Sequence, residues 1–197
     1  MKAFLTLATT LILALSAEAQ ISLGQPSYGG NGCPSGSASV SLTEDGKTMS
    51  VLFDSFKAEA GNTTARRIDR ASCNLRVPIN VPQGYSVALI AVDYRGFNAV
   101  PGQGAYTQFD AEYFYAGSRG PRFSKRFVGP VSDEYLINNR LIATNMVWSP
   151  CGQQVIFGIN ASATAMANSQ MQQTMMIVDS ADITAGILYQ FSWRRCQ

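Results

Sequence analysis

Ser37-Ala38-Ser39-Val40-Ser41-Leu42-Thr43-Glu44-Asp45-Gly46-Lys47-Thr48-Met49-Ser50-Val51-Leu52-Phe53 sets apolar side chains at alternate positions on both sides of a polar turn. Ala38, Val40 and Leu42 alternate with Ser37, Ser39 and Ser41; Glu44-Asp45-Gly46-Lys47 reverses the chain; Met49, Val51 and Phe53 resume the period. A period of two sends successive side chains to opposite faces of a strand, so the stretch predicts a β-hairpin with one buried face. Further along, residues 85–94 are apolar at nearly every position, which predicts a central strand covered on both faces. Strands are also expected over 106–115, 122–128, 141–148, 155–161 and 174–178. A last one is expected over 187–193, where Ile187, Tyr189, Phe191 and Trp193 share a face. Two stretches carry helix-starting signals: 62–71 opens with capping residues, and 131–140 sets Ser132 and Asp133 ahead of Leu136 and Ile137. Each has room for only a short helical turn. Many short strands broken by Gly and Pro predict an all-β fold. The expected form is an antiparallel β-sandwich, immunoglobulin-like or jelly-roll-like, with at most one or two short helical turns.

The start of the chain reads as an export signal. Lys2 supplies a positive n-region, residues 3–15 are uncharged and mostly apolar, and Ala17-Glu18-Ala19 places small residues where a signal peptidase cleaves. Residues 1–19 are therefore expected to be removed, leaving 20–197 as a single secreted domain. An apolar run this short is below the roughly 20 residues that cross a bilayer, so no transmembrane segment is expected. Location is expected to be extracellular, or periplasmic or cell-surface in a Gram-negative host. Cys33, Cys73, Cys151 and Cys196 all lie in the mature part, where an oxidising compartment pairs thiols. Two disulfides are expected, and three connectivities are open. The alternative, a metal site, lacks both a Cys-x-x-Cys spacing and any histidine, so no metal and no cofactor are expected.

Composition narrows the function classes. The 197 residues include no histidine, which removes Ser-His-Asp and Cys-His catalysis, His-ligated zinc and imidazole pH switching. Only 14% of residues are charged and the net charge is +2, which gives no support for nucleic-acid binding. The glycine-rich stretch 29–36 lacks Gly-Lys-Ser/Thr, and Ser35 stands where a dinucleotide fingerprint needs its third glycine. It reads as a loop shaped around Cys33.

Seven segments together carry a family likeness. They are Tyr28-Gly29-Gly30-Asn31-Gly32-Cys33-Pro34, Phe53-Asp54-Ser55-Phe56, Cys73-Asn74-Leu75, Pro82-Gln83-Gly84-Tyr85, Asp93-Tyr94-Arg95-Gly96-Phe97, Trp148-Ser149-Pro150-Cys151-Gly152 and Trp193-Arg194-Arg195-Cys196. In this order the chain resembles, over about residues 28 to 196, the secreted domain-of-unknown-function family 4360 of bacteria and fungi. The resemblance implies a secreted, cysteine-containing domain without an assigned activity, so it transfers no catalytic residue. Ala71-Ser72 departs from the basic residue and Asn that the family tends to place before this cysteine; Arg66, Arg67 and Arg70 supply basic character nearby. The up-and-down course of the 37–56 hairpin returns Cys33 and Cys73 to one end of a sandwich. That favours pairing Cys33 with Cys73 and Cys151 with Cys196.

Several constellations invite a functional reading. Tyr94, Phe97, Tyr106, Tyr113 and Tyr115, with Asp110 and Glu112, could form a ligand platform in which rings stack on sugars and carboxylates bind hydroxyls. The competing reading places some of these rings in the core. Asp110 and Glu112 fall two apart on one strand face, which also admits a carboxylate pair for glycoside chemistry, against the plainer reading of a solvated polar face. Asp93 and Arg95 share a strand face and are expected to form a structural ion pair at a strand end, against the alternative of a catalytic acid with its clamp. Arg119, Arg122, Lys125 and Arg126 form a basic cluster that could contact an anionic envelope polymer or a phospholipid surface, or could protect a sheet edge from pairing. Asn62-Thr63-Thr64 and Asn160-Ala161-Ser162 match the N-glycosylation acceptor pattern.

The expected function is that of a secreted, disulfide-bonded, non-catalytic domain with a binding or structural role at the cell surface or outside the cell. Its expected partner is cell-envelope or extracellular polysaccharide. The alternatives are a carbohydrate-active enzyme that uses Asp and Glu, and an effector or inhibitor that binds a host or prey surface protein.

Overall fold

The computed structural model describes residues 21–115, 118–141, 146–178 and 187–196. The leader expected at 1–19, the 142–145 part of the strand expected over 141–148, and the side chain of Tyr115 lie outside the described residues. Among the described residues there are thirteen strands and no helix. In chain order they are β1 (Ser22–Leu23), β2 (Ser27–Gly29), β3 (Ala38–Leu42), β4 (Thr48–Phe53), β5 (Lys57–Ala60), β6 (Ile68–Asn80) and β7 (Tyr85–Val100). They continue with β8 (Tyr106–Tyr115), β9 (Ser118–Val128), β10 (Val131–Arg140), β11 (Val155–Met166), β12 (Thr174–Ile177) and β13 (Ile187–Arg195).

Two antiparallel sheets pack face to face, as the alternation of the sequence predicts. The first runs β6, β11, β8, β9, with β1 and β2 both paired to the far edge of β6. The second is built on β7, which pairs with β10 on one side and with β13 and then β12 on the other; β4 and β3 extend it beyond β13, and β5 extends it beyond β12. The opening hairpin is β3 and β4, with Val40 opposite Val51 and Ala38 opposite Phe53. Its turn is held by Asp45, whose carboxylate accepts from the Thr43 hydroxyl at 2.6 Å and from the Lys47 N–H at 3.0 Å. Those bonds, the Thr43 hydroxyl first, hold the Asp45 carboxyl below the ordinary carboxylate pKa.

β7 is buried at Val87, Ala88, Leu89, Ala91, Val92 and Tyr94, as a central strand must be. The core between the sheets also takes Phe109, Tyr113, Phe157, Tyr189 and Phe191, with Phe157 edge-on to Tyr189 and Phe191 at 5.5 and 5.7 Å. Burial is the main cause that drives the Tyr113 and Tyr189 phenols well above their ordinary pKa, with the neighbouring Tyr113 adding to the shift at Tyr189.

Both stretches with helix-starting signals are corrected. Residues 131–140 are the strand β10, paired along its full length with β7 from Val131 opposite Val100 to Arg140 opposite Ala91. Ten cross-strand pairs against a central strand outweigh a local capping preference. Residues 62–65 form a turn, while β6 begins at Ile68 and pairs with β11 over twelve residues.

Cys33 pairs with Cys73, and Cys151 with Cys196. The first bond is inside the core at 0% and 2% exposure and ties the loop after β2 to the middle of β6. The second ties the exposed Cys151 to the end of β13. Closing loops of 40 and 45 residues removes unfolded-state entropy. On the chain-entropy account that is about 4 kcal/mol each.

Candidate functional site

The first sheet turns one face to the core and the other outward. On the inner side of β6 stand Ala71, Cys73, Leu75 and Val77, all buried; the intervening Arg70, Ser72, Asn74 and Arg76 face out. Registry carries this alternation across the sheet in rows. Arg70, Thr164, Gln108 and Arg126 form one row, and Ser72, Ser162, Asp110 and Ser124 the next. Asn74, Asn160, Glu112 and Arg122 form the third, and Arg76, Gly158, Phe114 and Arg119 the fourth. The two middle rows, together with Arg70, line an open groove of about 500 Å³.

Hydrogen bonds fix these side chains before any ligand arrives. The Arg122 Nε donates to Glu112 Oε1 at 2.8 Å, with Arg119 at 4.0 Å from the same oxygen. The Gln108 amide acts as a relay: its oxygen accepts from Arg126 Nε and Nη2 at 2.9 and 2.7 Å, and its Nε2 donates to both Asp110 oxygens at 2.9 and 3.0 Å. Arg70 Nη2 donates to the Ser162 hydroxyl at 3.0 Å. Arg76 lies flat across Gly158, where a Cβ would come within 3.2 Å of its guanidinium. From there its Nη1 donates to Asn160 Oδ1 at 3.2 Å, and the guanidinium covers the Phe114 ring at 5.6 Å. A glycine in mid-strand thus makes space for a neighbour's side chain.

The family described as a domain of unknown function, DUF4360, matches residues 19–196. The chain belongs to this family. A relative from the fungus Arthroderma benhamiae, described as an uncharacterized secreted protein, is 28% identical over 169 residues, which cover 86% of this chain and 69% of the relative. Among solved structures, that of TmCBM61 in complex with beta-1,4-galactotriose is similar over 87% of this chain and 88% of the other, at 12% identity and a TM-score of 0.24. A TM-score that low carries no argument about what a DUF4360 domain binds.

The structure separates the residues that the sequence grouped. Tyr94 and Tyr113 are 0% and 1% exposed, and Tyr94 packs on Phe109 at 4.7 Å, so both are core and the expected aromatic platform loses these two rings. The cause is parity: Phe109, Ala111 and Tyr113 occupy the inner face of β8, while Tyr106, Asp110 and Glu112 occupy the outer one. Phe97 is half-buried on the outer face of the other sheet, opposite Glu134 and Ile177. Asp93, also on that face, accepts from Asn138 Nδ2 at 2.7 Å and from Gln190 Nε2 at 3.1 Å; no ion pair joins it to Arg95 among the described residues. Within the basic cluster, Arg119, Arg122 and Arg126 reach the groove face. Lys125 points the other way, 5.8 Å above the Phe127 ring. The cluster lies on β9, which is an edge strand of its sheet.

Sequence reasoning missed the β6 and β11 contribution: Ser72, Asn74, Asn160 and Ser162. The signal was present, since Arg70, Ser72, Asn74 and Arg76 alternate with four apolar residues, and Asn160, Ser162 and Thr164 alternate with Ala161, Ala163 and Ala165. Asn160 also belongs to a glycosylation acceptor pattern, but it sits half-buried in the groove floor under Arg76, whereas Asn62 is exposed in a turn.

Proposed function

We propose that this DUF4360 domain works outside the cell as a non-catalytic binding domain for polysaccharide, through the outer face of its β6-β11-β8-β9 sheet. One observation carries the reading. The two middle rows present serine hydroxyls, asparagine amides and the carboxylates of Asp110 and Glu112 on adjacent rigid strands, which stand about 4.8 Å apart. A sugar hydroxyl both donates and accepts, so a surface that mixes acceptors, amides and guanidinium donors in fixed rows complements several hydroxyls at once. Because the side chains already hold one another, little freedom is lost on binding. Export is supported by the leader sequence, by two disulfides, and by the secreted relative.

Affinity gel electrophoresis against a panel of soluble polysaccharides tests the reading. The wild-type protein is expected to be retarded by at least one polymer, and Asn74→Ala with Asp110→Ala is expected to abolish the retardation while thermal unfolding stays cooperative. No retardation by any polymer would count against it.

A second reading is favoured by the adjacency of Asp110 and Glu112 on one strand face, about 7 Å apart at Cα. It treats them as the carboxylates of a glycosidase. Arg122 holds Glu112 through Oε1 and Gln108 Nε2 holds both Asp110 oxygens, so a substrate would meet two carboxylates that are already hydrogen-bonded, with Glu112 Oε2 the oxygen least engaged. Release of reducing sugar that disappears in Asp110→Asn would establish this reading over the binding one.

A further inference from the structure

We infer that the polymer taken by this groove is acidic, a polysaccharide that carries carboxylate or sulfate groups separated by neutral hydroxyls; the inference rests on the polysaccharide-binding reading above. The first support is the charge on the face. Arg70, Arg76, Arg119, Arg122 and Arg126 share the four rows with only Asp110 and Glu112, which leaves the face at +3 although the whole chain carries +2. A local excess of positive charge attracts polyanions and raises their encounter rate.

The second support is how the charges are spent. Glu112 neutralises Arg122 and draws Arg119, and Asp110 reaches Arg126 only through the Gln108 amide. Arg70 and Arg76 have no carboxylate partner among the described residues. Arg70 is exposed at the groove wall and gives one bond to the neutral Ser162 hydroxyl, which leaves most of its five N–H donors for a bidentate anion.

The third support is spacing. Arg70 and Arg126 end one row three strands apart, about 14 Å, and Arg70 and Arg76 stand six residues apart along β6, about 20 Å. Between these corners lie the hydroxyl and amide rows. A compact phosphate would touch one corner alone, and a densely charged polyanion would set charges against Asp110 and Glu112 in the middle. A chain whose acidic groups alternate with uncharged hydroxyls suits both the corners and the centre.

Matched pairs of probes give the test: polygalacturonate against its methyl ester, dextran sulfate of low sulfate content against dextran, and polyphosphate as an anion without sugar. Affinity electrophoresis of the mature protein is expected to show retardation by polygalacturonate, by dextran sulfate or by both, about tenfold stronger than by the uncharged partner and weakened by added sodium chloride. Which charged member binds distinguishes carboxylate from sulfate. Arg70→Gln with Arg126→Gln is expected to lose about tenfold or more, and Arg70→Lys with Arg126→Lys to recover much of that loss, with circular dichroism confirming that both variants fold. Equal retardation by the charged and uncharged members would overturn the inference and leave the polysaccharide reading standing. Polyphosphate binding as strong as that of the acidic polysaccharides would overturn it as well, because the hydroxyl rows would then contribute nothing. Retardation by none of the probes would overturn the inference, and if no polymer of the panel above retards the protein either, both readings are overturned.

Discussion

Asn31 pairs with Ser72 as a neighbouring strand would. Its side-chain Oδ1 accepts from the Ser72 N–H at 2.8 Å, and its Nδ2 donates to the Arg70 carbonyl at 2.7 Å. β2 ends at Gly29, opposite Asn74, and one side-chain amide then supplies the two bonds the next strand residues would have made. The Cys33–Cys73 bond fastens the same loop from below. The groove wall formed by Arg70, Ser72 and Asn74 is therefore braced from the edge by Asn31 and from the core by the disulfide.

Asn31→Ala leaves an N–H and a carbonyl at this edge without a protein partner. The site is exposed, so water recovers part of the loss, and the expected cost is about 1 kcal/mol rather than the full burial penalty. Urea unfolding measures it. An unchanged midpoint would show that water replaces both bonds.

The two disulfides are expected to differ in reactivity, because a reductant must reach the sulfur it attacks. Cys33 and Cys73 are 0% and 2% exposed, whereas Cys151 is exposed. Under mild reductant, alkylation followed by mass mapping is expected to label Cys151 and Cys196 first, with Cys33 and Cys73 labelled only when the sandwich opens. Equal rates for the two pairs would mean that the core opens as readily as its rim.

Strand identity was legible in several stretches where one face is apolar, but not in β6, which sets Ala71, Cys73, Leu75, Val77 and Ile79 on one face and was not among the expected strands. The 37–53 stretch became β3 and β4, and 106–115 became β8, because a half-buried strand writes its burial into a period of two. β10 was not legible, since its inward face, Val131, Tyr135 and Ile137, is interrupted by Asp133 and Asn139, and its place depends on pairing with β7, a contact between residues that the sequence does not juxtapose. The site divided in the same way. Asp110, Glu112 and Arg122 could be picked out as charges in a strand, but Ser72, Asn74, Asn160 and Ser162 are ordinary side chains until registry sets β6 beside β11 and β11 beside β8. Tyr94 and Tyr113 misled because aromatic rings mark strands whether they face solvent or core.

Gly29 and Gly30 are adjacent and are expected to respond oppositely to alanine. Gly30 adopts φ +137°, and a Cβ there would lie 2.1 Å from the Ser72 carbonyl oxygen. At Gly29 nothing lies within 4 Å. Gly30→Ala must push the loop off β6, at a cost of about 2 kcal/mol or more, while Gly29→Ala stays within about 0.5 kcal/mol of wild type. Thermal unfolding of the pair decides. Similar losses in both would mean that the loop moves aside without resistance.

The tyrosine core sets the alkaline limit of stability. In the unfolded chain a phenol loses its proton near pH 10, whereas burial holds Tyr113 and Tyr189 protonated to higher pH in the folded state. The unfolded state therefore releases protons first. The contribution of these groups is complete below about pH 10 and is lost as pH climbs towards their folded values. With no histidine in the chain, no side chain with an ordinary pKa between 5 and 8 adds a step in the neutral range. Chemical denaturation is thus expected to give a flat profile around neutrality and a decline above about pH 10, with part of the tyrosinate absorbance appearing only as the protein unfolds. Tyr113→Phe removes one of the two ionisations and is expected to move the alkaline midpoint upward. An alkaline midpoint that does not move in Tyr113→Phe would show that groups outside this buried pair set the limit.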